Sequence, residues 1–329
     1  MKKKICLLIL ILLLVFMGCG RRSSFPDQVV ATIPVGEGPQ GIGILPNGQY
    51  LYVANFYDNT VSVIRVLDNQ VIATIPVGDG PDGIAVLPNG EYVYVTNHRS
   101  DDVYIIRTAD NQVVGRIEVG DGPEGIVVSP DGNYLYVAHH RSNDIYIIEV
   151  ATNQIIRTIP IGSGQLDWLK VLPNGNFLYV ANFLNDNLSV VNLKNNQVIA
   201  NIPVGNGPQG VALSLDGEYV YVACEYDNRV TIISTANNQV IGYIPVGRGP
   251  CDAITLLPNG RYIYVANGND NTISVIRTND NVIVATIPVG RYPIGGISVH
   301  PSCEFVYVSN IQDNSISVIG RSYTYGYPW

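Results

Sequence analysis

"GIAVLPNGEYVYVTNHRSDDVYIIRTADNQVVGRIEVG", residues 83–120, holds four short runs rich in Val, Ile and Tyr, at 83–87, 92–97, 103–107 and 112–119. They are divided by Pro88-Asn89-Gly90, by residues 98–102 and by Asp110-Asn111. Branched and aromatic residues suit a pleated strand, and Asn-Gly is a strong hairpin signal. Four antiparallel strands in about 40 residues make one blade of a β-propeller.

The same pattern recurs along the chain. The Gly that closes the fourth run falls at 36, 78, 120, 162, 205, 247 and 290, which makes seven copies spaced by 42 or 43 residues. Composition agrees: 33 Gly, 20 Pro and 21 Tyr against 2 Met and 6 Phe favour turns and strands, and helical periodicity is absent after the first twenty residues. The expected fold is all-β, a seven-bladed propeller of four-stranded blades over residues 28–320. Naming the strands a to d outward from the axis, the chain opens on a lone strand d at 28–35 and ends on a strand c at 315–319. Pairing the two closes the ring and removes an open sheet edge.

"YVTN" stands at 94–97, "YVAN" at 52–55, 179–182 and 264–267, and "YVSN" at 307–310. The chain thus resembles the Tyr-Val-Thr-Asn family of β-propeller repeat proteins. The resemblance implies a bacterial or archaeal surface or secreted protein, described by its fold with no single activity attached.

The first residues, "MKKKICLLILILLLVFMGCG", combine three lysines with an apolar run too short for a comfortable membrane span, which reads as a secretory signal over 1–18. Phe16-Met17-Gly18-Cys19 resembles the lipobox of bacterial lipoproteins, which implies lipidation of Cys19. A short linker to residue 27 follows, and an aromatic tail, 321–329, lies beyond the repeats. The expected location is outside the cytoplasm, on the cell surface or in the periplasm, with the lipid as the only membrane contact. Without Lys2, Lys3 and Lys4, 16 of the 19 basic residues remain against 27 acidic ones, a formal charge of −11. That balance disfavours nucleic acid as a partner. Cys224, Cys251 and Cys303 are too few for a disulfide scaffold.

Copies within one chain report where the fold alone does not dictate the residue. From strand d's Gly to the next a–b turn there are 12 positions in blades 1, 2, 3 and 5 but 13 in blades 4, 6 and 7. The extra residue is placed in the d–a turn as Leu166, Cys251 and Ile294. These turns share one face, the top, with the b–c loops. At the channel mouth the position that follows Gly-Pro in blades 1, 2, 3 and 5, with its equivalents in the other blades, reads Gln40, Asp82, Glu124, Asp167, Gln209, Asp252 and Gly295 around the ring. With inner strands ~7 Å from the axis, neighbouring copies lie roughly 6 Å apart. Asp82, Glu124 and Asp167 are therefore the candidate ligands for a Ca²⁺ or Mg²⁺ ion, and solvated loop acids are the plain alternative.

"SGQLDWLK", 163–170, is the most altered d–a turn. It carries Trp168 where other copies mostly have Gly, and Lys170 where they have small residues. A buried Lys is costly unless paired, and Asp167, Asp82 or Asp252 are its expected partners. The b–c loops of blades 2 and 3 add His98, Arg99, His139, His140 and Arg141. Strands b at ~12 Å radius set equivalent Cα atoms about 10 Å apart, so a shared metal requires side chains to converge.

Two functions remain open. One is a monomeric surface propeller that binds a cell-surface protein or glycan through its top face, with no cofactor. The alternative is a lactonase-like or lyase-like enzyme using a divalent cation at the mouth of the channel. No motif matches either enzyme family residue by residue, and Cys-x-x-Cys-His for covalent haem is absent.

Overall fold

The computed structural model describes residues 21–162 and 164–324. The signal segment, Cys19 and residues 325–329 lie outside them. Seven four-stranded antiparallel sheets stand around one axis. Blade 2 is Pro81–Val86, Tyr92–Asn97, Asp102–Arg107 and Gln112–Glu118, within two residues of the bounds read from the sequence. The ring closes as expected: Gln28–Pro34 pairs antiparallel with Ser315–Gly320, as the outer strand of a blade whose inner strands are Ile297–Val299 and Val306–Asn310. Among the described residues the only helical pieces are the three-residue turns Phe183–Asn185 and Ile311–Asp313.

The repeated letters have physical partners. The Tyr of strand b is buried, and its phenol donates to the Asn of the next blade's c–d turn. These bonds are Tyr52 to Asn111 at 2.7 Å, Tyr94 to Asn153 at 3.1 Å and Tyr179 to Asn238 at 2.9 Å. A buried hydroxyl needs an acceptor, and Asn tolerates the left-handed backbone of that turn, with φ of 55–57° at the three positions. Blade 7 has no such turn, and Tyr264 donates instead to the Pro26 carbonyl at 2.7 Å. Phe25 packs its ring 4.6 Å from that of Tyr262, and Arg21–Arg22 pairs with Tyr323–Thr324. The linker and the start of the tail, read as lying outside the propeller, are bound to it from residue 21.

On strand a, the Gly after the mouth residue has a steric reason. A Cβ at Gly41, Gly83, Gly125 or Gly210 would lie 2.3–2.6 Å from a backbone carbonyl oxygen of the next blade, Asp82, Glu124, Asp167 and Asp252 respectively. The inner strands approach as closely as backbone allows. Strand a is also bulged near its start in blades 1 to 6, because the register with strand b shifts between the first and fourth residues, as between Pro81 and Ile84, or between the first and fifth in blade 6.

The extra residues fall differently from expectation. Leu166 is paired with Asn182, as Pro39 is with Asn55, so Leu166 occupies the Pro position and the insertion precedes it. Gln165, at φ 48°, takes the left-handed place of Gly38 at φ 65°. In blade 6 the additional residue lies inside the bulge, between Pro250 and Ile254, where Cys251 stands. Cys224, Cys251 and Cys303 are all buried and free.

Candidate functional site: the mouth of the channel

Strand a delivers its second residue to the mouth, and the b–c loop delivers the first residue after strand b. The carboxyls of Asp82, Glu124, Asp167 and Asp252 and the amides of Gln40 and Gln209 line one cavity of about 230 Å³, as the copy comparison expected. His140, Gln165, Phe183 and Ile294 complete its wall.

Blade 3 supplies the centre. Nδ1 of His140 lies 2.9 Å from Oε2 of Glu124 and 3.5 Å from Oδ1 of Asp167. Although close, His140 Nδ1 and Glu124 Oε2 are buried atoms that complete no hydrogen bond of acceptable geometry. The flanking carboxyls, Asp167 and then Glu124, hold the imidazole pKa up to about 10 against the effect of burial. Burial pushes Asp167 up to about 7, with the Glu124 charge adding to the rise and His140 opposing it. Asp82 and Asp252 rise well above the usual carboxylate value, chiefly through burial and then through each other's acidic neighbours. Four carboxyls and one imidazole thus share a space too small and dry for all of them to ionise at no cost.

The other predicted residues divide. His98 joins the site, its ring 5.8 Å from that of His140, while its Nε2 lies 3.5 Å from Nη2 of Arg141; burial lowers its pKa. Arg141 pairs with Asp121 at 3.0 Å, and Arg99 lies over the Phe56 ring at 4.5 Å; both are exposed on the rim. Trp168, half-buried on strand a of blade 4, does not line the cavity wall.

Two expectations are corrected. His139 is fully buried, its Nδ1 3.0 Å from Asp144 Oδ1 and its Nε2 accepting from the Gly120 N–H at 3.1 Å. It stands where other blades have the buried Asn of strand b, so it fastens the loop and does not face a ligand. Lys170 forms no ion pair or hydrogen bond among the described residues, so the salt bridge to Asp167, Asp82 or Asp252 is not made. It shares a strand face with Leu172, which packs with Tyr179 against Val211 and Val220 of blade 5.

The fold and this mouth define a seven-bladed β-propeller of repeated blades. Within that class, the sequence model of the family described as "Lactonase, 7-bladed beta-propeller" matches residues 22–159, and that described as "YNCE-like beta-propeller" matches residues 130–261. Each covers less than half of the chain. A 39-residue stretch is 44% identical to hydrazine synthase subunit beta of Kuenenia stuttgartiensis, which is 12% of this chain and 10% of that protein's length. A solved chain of Kuenenia stuttgartiensis hydrazine synthase superposes with a TM-score of 0.79 at 24% identity, over 92% of this chain and 98% of that one. The Cps50 (Swd1) β-propeller domain of Myceliophteria thermophila gives 0.76 at 12% identity, over 90% and 99%. At such identities the likeness is one of fold.

Proposed function

We propose that the protein is a surface-anchored binding module that takes a hydroxyl-rich unit of a cell-surface glycan into the mouth of its channel, without catalysis. One observation carries this reading. The cavity combines the amides of Gln40, Gln165 and Gln209 with the carboxyls of Asp82 and Asp167, which burial keeps partly protonated, and it has one aromatic wall at Phe183. Amides and protonated carboxyls both donate and accept hydrogen bonds, which suits hydroxyl groups, while an aromatic ring suits the apolar face of a sugar. At about 230 Å³ the cavity is smaller than the ~300–1,000 Å³ of a typical small-molecule cleft, so it takes one ring or the end of a chain. Lipidation at Cys19 would tether the opposite face, where the linker meets Tyr262 and Tyr264, and leave the mouth turned away from the membrane.

The test is a glycan array probed with the full chain in detergent. Binding of a defined set of glycans that weakens about tenfold in Phe183→Ala is the expected result. Absence of any glycan binding, or binding that ignores Phe183, would overturn it. A second reading, a lactonase-like or lyase-like enzyme, is favoured by the contact between His140 and Glu124, which both fall inside the segment matched by the lactonase family. Turnover of a lactone panel that vanishes in His140→Ala would establish that reading in place of the first.

A further inference from the structure

We infer that His140 Nδ1, Glu124 Oε2 and Asp167 Oδ1 together bind one divalent transition-metal ion, zinc or manganese, at the channel mouth. The three residues each offer a donor atom, and these atoms all lie within 4.8 Å of one another. An ion with bonds of about 2.1 Å sets adjacent donors ~3.0 Å apart in octahedral and ~3.4 Å apart in tetrahedral geometry. The two separations measured from His140 Nδ1, 2.9 and 3.5 Å, bracket those edges, so a shift of a few tenths of an ångström in one side chain would complete either geometry. Hydrogen bonding would give similar distances, but Nδ1 and Oε2 are not aligned for it. A cation that displaces the imidazole proton would occupy the place between the two atoms that no aligned hydrogen bond fills.

Asp82 is a second, independent sign. Its side chain enters the same cavity from blade 2, is only 8% exposed, and accepts no hydrogen bond and makes no ion pair among the described residues. A buried carboxyl left without a donor is costly to ionise, and a cation beside it offsets that cost. The donor set also selects the ion. Carboxylates alone suit Ca²⁺ or Mg²⁺, whereas an imidazole nitrogen among them favours zinc or manganese. The ligand set read from the sequence, Asp82, Glu124 and Asp167, is therefore changed in one member: His140 binds, and Asp82 supports from behind. The edge of the His98 ring against His140 limits rotation of the ligating imidazole.

The inference does not depend on the glycan reading, because its probe is the metal alone. Metal-stripped full chain in detergent is titrated with Zn²⁺ and Mn²⁺ against a competing chelator, and Co²⁺ absorbance is recorded. One ion per chain is expected, with affinity falling more than about 100-fold in His140→Ala and in the near-isosteric Glu124→Gln, and about 10-fold in Asp82→Asn. His300→Ala on the opposite face, where His300 is engaged by Ser302 and the Gly48 carbonyl, leaves binding unchanged. Circular dichroism melts identify any variant that fails to fold, and Glu124→Gln then decides. No stoichiometric binding by the wild type, a preference for Ca²⁺, or zinc and manganese binding indifferent to Glu124→Gln would overturn the proposal. Glycan capture by metal-free chain would leave the binding-module reading standing on its own.

Discussion

Blades 3 and 5 place different chemistry on one backbone. In both, the second residue of strand a meets the first residue after strand b at the mouth. In blade 5 these are Gln209 and Glu225, and the amide donates to the carboxylate at 2.8 Å, a complete hydrogen bond. In blade 3 they are Glu124 and His140, 2.9 Å apart, with both facing atoms buried and neither satisfied. Each pair is followed round the ring by an Asp, Asp252 after blade 5 and Asp167 after blade 3. The backbone fixes the separation, and the side chains decide whether the gap is closed by an aligned hydrogen bond or left for a ligand.

Exchanging the pairs is the most severe test of that contrast. Glu124→Gln with His140→Glu installs the blade 5 pair in blade 3. Zinc affinity should fall by more than about 100-fold while the melting temperature is held or raised, because a satisfied pair replaces an unsatisfied one. The reverse exchange, Gln209→Glu with Glu225→His, should raise the stoichiometry from one ion toward two, with Asp252 as the third ligand. Titration with a metal indicator reads both. A first exchange that leaves zinc affinity intact would break the comparison at its root.

The contrast also assumes that the two arcs share the same close strand packing. A Cβ at Gly125 would meet the Asp167 carbonyl at 2.3 Å, and one at Gly210 would meet the carbonyls of Asp252 and Cys251 at 2.6 Å. Neither glycine needs a left-handed backbone, so Gly125→Ala and Gly210→Ala each act by forcing neighbouring blades apart, at a cost of about 2–3 kcal/mol in denaturant unfolding. Only Gly125→Ala moves Asp167 relative to Glu124 and should also weaken zinc. Equal effects of the two variants on zinc would mean that the site is not set by the spacing of blades 3 and 4.

Much of this was legible because seven copies compare themselves. The period, the hairpin turns and the unmatched end strands define the ring, and the residue after Gly-Pro marks the mouth in four blades, with Asp167 and Asp252 as its equivalents in blades 4 and 6. Which of His139 and His140 faces the mouth was also available, since His139 stands where "YVAN" and "YVTN" end in a buried Asn. Blade 4 was harder. The bulge between Leu166 and Leu169 changes which face each side chain takes, and Gln165 holds a left-handed conformation that its residue type does not announce. The number of inserted residues could be counted there, but not their place. The orientation of Nδ1 against Oε2, on which the metal inference turns, is a matter of angles and leaves no trace in residue type.

Lys170 offers the smallest predicted effect and the finest discrimination. Its counterparts in blades 2 and 5, Ala85 and Ala212, are buried among apolar side chains, whereas half-buried Lys170 brings a long cationic side chain to the same position, with no acid paired to it among the described residues. Burial lowers its pKa from the ordinary 10.5. A cation with a lower pKa in the folded state than in the unfolded chain costs stability while it is protonated. That cost is constant below the folded pKa and is relieved as pH rises from there through 10.5, where the unfolded chain binds more protons. Lys170→Met keeps the packing of the stem and removes the charge, so it should stabilise the propeller by about 1 kcal/mol at pH 7, with the gain shrinking at pH 10. Thermal unfolding at the two pH values measures both quantities. A variant less stable than wild type at pH 7 would mean that the amine has found a partner in the wet channel, and the contrast between a satisfied and an unsatisfied arc would then have to be drawn without blade 4's lysine.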